Sequence, residues 1–199
     1  MELFIARHGQ TEFNEQGRWQ GSGQDSPLTP KGRGQAVDFG KTIVGIDFDA
    51  IYSSPLKRAM DTARLAFGDP DLFSKDNVYT DVRLRELGMG VAEGRAFEEV
   101  IEKYPNVYPN LMQDPPSYVP PPEGEALPDI LIRIDAFLTE LATKPYKRVF
   151  VMAHGYVLRV VHACSIDKSM VTIGASPIFE NCALVRYTFD GSKWNLVKP

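Results

Sequence analysis

LFIARHGQT, residues 3–11, is an apolar run that ends on an arginine, a histidine and a glycine. Residues 3–6 are too few and too uniformly apolar for an amphipathic helix, so they predict a buried strand of a largely parallel sheet. Gly9 permits a sharp exit and a close approach of a ligand to the backbone. Because open α/β sheets bind ligands at the carboxyl ends of their strands, Arg7 and His8 are expected at a binding site.

A second stretch of the same form lies late in the chain. RVFVMA, residues 148–153, predicts another buried strand, and it ends on His154 and Gly155. Residues 156–164 then have the pattern of a helix, whose first turn offers N–H groups and a positive dipole end to an anion beside His154. An Arg-His pair alone is more often a packing histidine beside a surface arginine, whereas two strands that each deliver a histidine favour a functional site.

Arg58 is a third candidate, from the middle of the chain. Residues 49–53 predict a strand, and Ser54-Pro55 is expected to open a helix with proline in its first turn. Arg58 would then lie one turn inside the helix, where backbone amides and a guanidinium group can bind one phosphate. The alternative is a solvated arginine on the helix surface.

Five pieces of the sequence together resemble the histidine phosphatase superfamily of phosphoglycerate mutases and phosphatases. They are Arg7–Thr11, Asn14, Ser53–Ala59, Arg85–Gly88 and His154–Gly155. Each lies at the end of a predicted strand or the start of a predicted helix, and the match spans nearly the whole chain. The resemblance implies an α/β three-layer sandwich of the phosphoglycerate mutase-like kind, with a mostly parallel central sheet and helices on both faces.

The resemblance also implies nine site residues. The catalytic ones are His8, Glu86, His154, Arg7 and Arg58. The substrate-binding ones are Asn14, Gln20, Gly21 and Gly155. In this interpretation His8 attacks phosphorus and becomes phosphohistidine, while Glu86 protonates the departing alkoxide.

Structural alternatives exist for several of these residues. Glu86 could pair with a neighbouring arginine, and the residues of the loop could be ordinary turn residues. The loop also departs from the family pattern, because residues 22–24 separate Gly21 from Asp25, one residue more than the common Gln-Gly-x-x-Asp. The rim of the pocket is therefore expected to differ from that of other members.

Length and composition fit a single domain, residues 1–199. A hydrophobic share of 43% is enough for one substantial core. Within the domain, residues 88–128 are predicted to form a lid over the mouth of the site. Eight of the fifteen prolines lie in residues 105–128, which we expect to be too many for regular structure.

Composition argues against several classes of protein. Fold-forming sequence begins at Leu3 and no apolar run is long enough for a membrane span, so we expect a cytoplasmic protein without a signal peptide. A net charge of −4 without a basic stripe argues against nucleic acid as a partner. Cys164 and Cys182 form no zinc pattern with the three histidines, and neither a metal nor a cofactor is expected. The sequence leaves open a monomer or a homodimer.

The function predicted is metal-independent hydrolysis of a small phosphorylated metabolite. The alternative within the family is a cofactor-dependent phosphoglycerate mutase, and a non-catalytic phosphate-binding scaffold is a third interpretation. Residues 87–125 carry two basic side chains against seven acidic ones, and they lack the Arg-His-Tyr run that mutases carry after the catalytic glutamate. An acidic lid would repel a second phosphate, which favours the phosphatase.

Overall fold

A computed structural model describes residues 1–197. Its strands are β1 (Glu2–Arg7), β2 (Ala50–Ser53), β3 (Val78–Thr80), β4 (Arg148–Ala153), β5 (Leu184–Phe189) and β6 (Trp194–Leu196). They form one sheet in the order β3-β2-β4-β1-β5-β6. The first four strands are parallel to one another, and the last two form an antiparallel hairpin at one edge. The predicted mostly parallel sheet is confirmed.

Helices connect the strands. The α-helices are α1 (Glu12–Glu15), α2 (Pro30–Ile43), α3 (Lys57–Phe67), α4 (Phe97–Lys103), α5 (Val107–Gln113), α6 (Leu127–Ala142), α7 (Gly155–Cys164) and α8 (Met170–Ala175). Short 3-10 turns cover Leu72–Ser74, Val82–Leu84, Gly90–Ala92 and Pro115–Ser117. Within residues 1–197, no helix combines the length and the apolar character that crossing a bilayer requires.

Alternation along β1 creates the layers. Leu3 and Ile5 belong to a buried cluster with residues of α6 and α7, whereas Phe4 and Ala6 belong to a second cluster with residues of α2 and α3. Successive side chains of a strand point to opposite faces, so the two clusters lie on the two faces of the sheet. Burial of each large side chain stabilises the fold by roughly 1.5–3 kcal/mol. The two clusters, one on each face of the sheet, confirm the predicted three-layer sandwich.

The amino terminus of α2 packs against the exit of β1. Thr29 caps the helix by accepting a hydrogen bond from the N–H of Gly32 at 2.9 Å, and Pro30 occupies the first helical position. A Cβ at Gly9 would lie 2.6 Å from the carbonyl oxygen of Gly32. Only glycine therefore lets the chain turn away from His8 so close to the helix.

The helix that carries Arg58 begins later than predicted. Ser54 still donates its N–H to the Met152 carbonyl at 2.9 Å, as a continuation of the sheet. Leu56 is extended, with φ −68° and ψ 134°, so α3 starts at Lys57 and Pro55 lies outside it. Arg58 is the second residue of α3, closer to the free amides of the helix end than the sequence suggested.

The proline-rich segment is more regular than predicted. Residues 105–128 contain α5, a 3-10 turn and the start of α6. Pro109 and Pro128 both lie in the first turn of a helix, where a missing N–H costs no intrahelical hydrogen bond. The expectation of irregular structure was wrong because it counted prolines without regard to their positions.

Candidate active site

The ends of neighbouring parallel strands bring the predicted catalytic residues together. In the register of β1 with β4, Arg7 lies opposite Ala153, so His8 and His154 follow at the same level. The His8 N–H donates to the Ala153 carbonyl at 3.0 Å. The two imidazole rings are 5.1 Å apart between centroids, at an angle of 62°.

His8 has one unprotonated ring nitrogen, Nε2. Its Nδ1 lies 2.7 Å from the carbonyl oxygen of Gly9. A carbonyl can only accept, so Nδ1 carries the proton and Nε2 keeps its lone pair. Burial, reinforced by the Arg58 and Arg7 guanidinium groups, holds the pKa of His8 well below its usual value. The imidazole is therefore neutral at neutral pH, the form that a nucleophile needs.

His154 is fully buried beside His8. Its Nε2 lies 2.7 Å from the hydroxyl oxygen of Ser54. Burial, and secondarily the charge of Arg58, holds the pKa of His154 well below its usual value. Its Nδ1 has no hydrogen-bond partner among the residues described. A buried polar atom of this kind suits a ligand oxygen.

Hydrogen bonds hold the Arg58 side chain in contact with His8. Its Nε donates toward the His8 Nε2 at 3.3 Å. Its side chain is 1% exposed and pairs with Asp25 at 2.8 Å, while its Nη2 donates to the Gly21 carbonyl at 2.9 Å. The predicted alternative of a solvated surface arginine is excluded by this burial.

Arg7 closes the other side of the pocket. Its Nη1 donates to the Phe179 carbonyl at 2.6 Å, and its buried Nε has no partner within residues 1–197. A Cβ at Gly155 would lie 3.4 Å from that Nε. Burial lowers the pKa of Arg7, while the charges of Glu86 and Glu180 oppose that shift. The guanidinium group and the first turn of α7 thus border one space.

The Glu86 side chain lies against the first turn of α7. Its Oε2 accepts the N–H of Tyr156 at 3.2 Å, and its Oε1 accepts the N–H of Leu87 at 2.9 Å. The sequence predicted a bound anion at the start of α7, and the Glu86 carboxylate itself takes up part of that site. Arg133 donates to the backbone carbonyl of Glu86 at 3.2 Å and forms its ion pair with Glu125. Arg133 therefore holds the backbone of Glu86 in place without pairing with the Glu86 carboxylate.

Comparison with known proteins identifies the family. The model of the histidine phosphatase superfamily (branch 1) matches residues 3–199. This chain belongs to that superfamily. The resemblance inferred from its motifs is confirmed.

Histidine phosphatases similar to this chain carry the names of both phosphatases and mutases. A Hydrogenobacter thermophilus protein provisionally named phosphoserine phosphatase 2 is 34% identical over 199 residues, with 98% of this chain and 93% of that protein covered. A Citrobacter koseri protein provisionally named phosphoglycerate mutase GpmB is 30% identical over 205 residues, covering 98% and 87%. The solved structure of Bacillus stearothermophilus YhfR has a TM-score of 0.88 at 30% identity, covering 98% and 94%.

The loop residues of this histidine phosphatase have partners within the protein. Asn14 accepts on its Oδ1 from the N–H of Thr11 at 3.2 Å, which leaves its NH2 group for another acceptor. Gln20 accepts from the Thr11 hydroxyl at 2.8 Å and donates to Ser26 at 3.1 Å. The Gly21 carbonyl anchors Arg58. Contact of these residues with phosphate stays a prediction.

Glu93 is a residue that sequence reasoning missed. Its carboxylate accepts three backbone N–H groups, from Gly23 at 2.8 Å, Gln24 at 2.5 Å and Met89 at 3.0 Å. The loop with the additional residue therefore wraps this buried carboxylate, and the same loop holds Arg58. No motif marks Glu93, because its partners Gly23 and Gln24 lie about 70 positions away.

We expect Glu93→Gln to lower the free energy of unfolding by about 1–3 kcal/mol. A carboxamide has only one acceptor oxygen, and its NH2 group would face backbone N–H groups that also donate. Urea denaturation measures the change. The exposed Glu102 provides the matched control, and Glu102→Gln should leave stability within about 0.5 kcal/mol of wild type. Equal stability of the two variants would contradict the proposed anchor.

A cavity of about 200 Å³ opens beside the predicted catalytic residues. Its lining residues are Arg7, Trp19, Gln20, Glu86, Leu87, Met89, Leu111, Met112, Gly155, Tyr156, Arg159, Ile178 and Phe179. None of the seven acidic residues of 87–125 lies on this wall, and Glu93 and Glu125 are held by backbone amides and Arg133. The side chains that residues 88–128 contribute to the lining are the apolar Met89, Leu111 and Met112, so the predicted repulsion by an acidic lid was wrong as a description of the contact surface.

Proposed function

We propose that this chain is a phosphatase that hydrolyses a small phosphomonoester through a phosphohistidine on His8. The observation that carries the proposal is the His8 imidazole, with its Nδ1 proton fixed on Gly9 and its Nε2 facing the Arg58 guanidinium group. An unprotonated ring nitrogen, which here accepts a hydrogen bond from Arg58, lies where a phosphoryl group would meet two arginines. The names of similar proteins agree with this chemistry.

In the first step, the His8 Nε2 lone pair forms a bond to phosphorus, and the bond from phosphorus to the ester oxygen breaks. Glu86 in its protonated form gives its proton to the departing oxygen. Arg7, Arg58 and His154 donate to the phosphoryl oxygens, whose charge is greatest in the transition state. Asn14 and the Gly155 amide are further donors in this proposal.

In the second step, water attacks phosphorus and the bond from phosphorus to His8 Nε2 breaks. Glu86, now a carboxylate, takes the proton of the attacking water and is thereby returned to its starting form. Inorganic phosphate leaves. Residues 88–128 act as the lid in this proposal, because Leu111 and Met112 from that segment line the cavity beside Glu86.

The reaction is proposed to need no metal ion. Residues 1–197 contain no group of three or more His, Cys, Asp or Glu side chains placed to hold one. The positive charge at the site comes from guanidinium groups, which a chelator cannot remove. We expect dialysis against EDTA to leave kcat unchanged within error. Loss of activity that a divalent ion restores would contradict the mechanism.

The phosphatase is favoured over the mutase by the cavity wall. A mutase must hold a bisphosphorylated intermediate and exclude water from phosphohistidine. The lid contributes Met89, Leu111 and Met112 to the cavity and, among the residues described, no basic side chain, so a second phosphate would meet apolar side chains on that side. The mutase name of one similar protein keeps this alternative open to test.

With 3-phosphoglycerate and catalytic 2,3-bisphosphoglycerate, we expect phosphate release to exceed isomerisation by about tenfold or more, because nothing on the lid side retains the bisphosphate. Both products are followed in one reaction. Isomerisation faster than release would reverse the assignment to the mutase.

The scaffold interpretation is tested separately. Phosphate release from p-nitrophenyl phosphate, followed over roughly pH 4 to 8 to span carboxyl and imidazole titration, would be zero for a folded scaffold.

The proposed setting is the cytoplasm, supported by the unpaired thiols of Cys164 and Cys182. Burial raises the pKa of each of these thiols to about 12.

A further inference from the structure

Segment 179–182, between α8 and β5, lies against the end of β1 and contacts both Arg7 and His8. The carbonyl of Phe179 accepts a hydrogen bond from the Arg7 Nη1 at 2.6 Å. The Cys182 N–H lies 3.1 Å from the Arg7 carbonyl oxygen and 3.3 Å from the His8 carbonyl oxygen. Phe179 follows Arg7 by 172 positions in the chain, so no local sequence pattern marks these contacts.

The backbone of Cys182 has an uncommon conformation within this segment. Its φ of 61° lies in the left-handed region, which residues with a side chain rarely adopt because the Cβ then approaches the backbone. Such a conformation persists where surrounding contacts hold it, and it occurs preferentially at functional sites. Here the contacts are the hydrogen bonds from the Cys182 N–H to the end of β1, so the strained residue lies directly behind the proposed nucleophile.

Asn181 adds a side-chain donor to these contacts. Its Nδ2 donates to the His8 carbonyl at 3.0 Å. The His8 N–H donates to the Ala153 carbonyl, also at 3.0 Å, so both backbone groups of His8 are hydrogen-bonded. These bonds fix the position from which the imidazole extends, and the bond between its Nδ1 and the Gly9 carbonyl then fixes the ring.

The same amide group of Asn181 also contacts Asn14. The Asn181 Nδ2 lies 3.4 Å from the Asn14 Oδ1, which accepts the Thr11 N–H at 3.2 Å as well. An amide oxygen has two lone pairs, and two donors therefore occupy both of them. A flipped Asn14 amide would set its NH2 group against those two donors, which is unfavourable. The NH2 group of Asn14 is thus kept for another acceptor.

We infer that Asn181 is a positioning residue for phosphoryl transfer, which holds the backbone of His8 and orients the Asn14 amide toward a phosphoryl oxygen. This rests on the proposed function, in which His8 attacks phosphorus and Asn14 is a donor. Asn181 lies outside the cavity lining, so it acts through these two residues. Its contribution is large because misplacement of a reacting group by about 1 Å costs on the order of 10²-fold in rate.

Asn181→Leu tests the inference, because leucine has nearly the shape of asparagine and no donor. We expect kcat for p-nitrophenyl phosphate to fall by about tenfold or more. Asn77→Leu is the matched control, since Asn77 is exposed and precedes β3, at the opposite end of the parallel strands from the site. It should leave kcat within about threefold of wild type. Wild-type kcat in Asn181→Leu would overturn the inference and uphold the phosphatase, whereas no turnover by wild type would overturn both.

A double-mutant cycle separates positioning from folding. Asn14→Ala removes one of the two groups through which Asn181 acts, so Asn181→Leu should lower kcat by a factor at least about threefold smaller in that background than in wild type. Thermal unfolding establishes that each variant is folded at the assay temperature. Equal losses in the two backgrounds would contradict action through Asn14. A loss in Asn181→Leu confined to KM, or one that only follows its unfolded fraction, would overturn the positioning role.

Discussion

His8→Ala is expected to reduce kcat by about 10⁴-fold or more, because removal of a covalent nucleophile leaves only the charge stabilisation of the pocket. The variant should still bind vanadate or phosphate weakly, since Arg7 and Arg58 remain. Turnover of p-nitrophenyl phosphate measures the loss, and calorimetry with vanadate measures binding.

His162 supplies the matched control for that substitution. It is a histidine of α7, 3.4 Å from the Tyr187 hydroxyl and outside the cavity lining. His162→Ala should lower stability somewhat and leave kcat within about threefold of wild type. If His8→Ala kept more than about one per cent of wild-type kcat, His8 would not be the nucleophile.

Glu86→Gln is expected to show the second largest effect, and one that depends on the leaving group. Loss of a general acid lowers the rate by about 10²–10⁴-fold for an alkyl phosphate, whose alkoxide must be protonated as it departs. For p-nitrophenyl phosphate the effect on the first step should be about tenfold or less, because nitrophenolate leaves without a proton. Single-turnover kinetics with both esters separates that step from hydrolysis of the intermediate.

Glu98→Gln controls for the loss of one carboxylate, since Glu98 is exposed in α4. It should leave both rates unchanged. Equal losses for the two esters in Glu86→Gln would mean that Glu86 holds Leu87 and Tyr156 in place and takes no part in proton transfer.

The sequence predicted β1, β2, β4 and the two histidines because each signal is local. β1 and β4 are short apolar runs bounded by charge and glycine, and the rule that parallel strands end at one edge brings His8 and His154 together. The start of α3 was misplaced because Ser54 bonds to Met152, a contact far away in the chain.

Other features of the site could not be predicted because they depend on long-range contacts. Glu93 lies among many acidic residues in sequence, and only folding shows that it accepts the Gly23 and Gln24 amides of the loop that holds Arg58. The apolar character of the side chains that residues 88–128 contribute to the cavity could not be predicted for the same reason. Counting charges in residues 87–125 cannot reveal which side chains face inward.

The covalent intermediate tests the central claim most directly. Rapid quench with a phosphate-labelled phosphomonoester should yield a label on the protein that is lost in acid, is stable in base, and maps by peptide sequencing to His8. With labelled p-nitrophenyl phosphate, whose leaving group needs no proton, the Glu86→Gln variant should retain more of this label, since hydrolysis of the intermediate is slowed more than its formation. An acid-stable label on a serine, or turnover by wild type without any label on His8, would contradict the account.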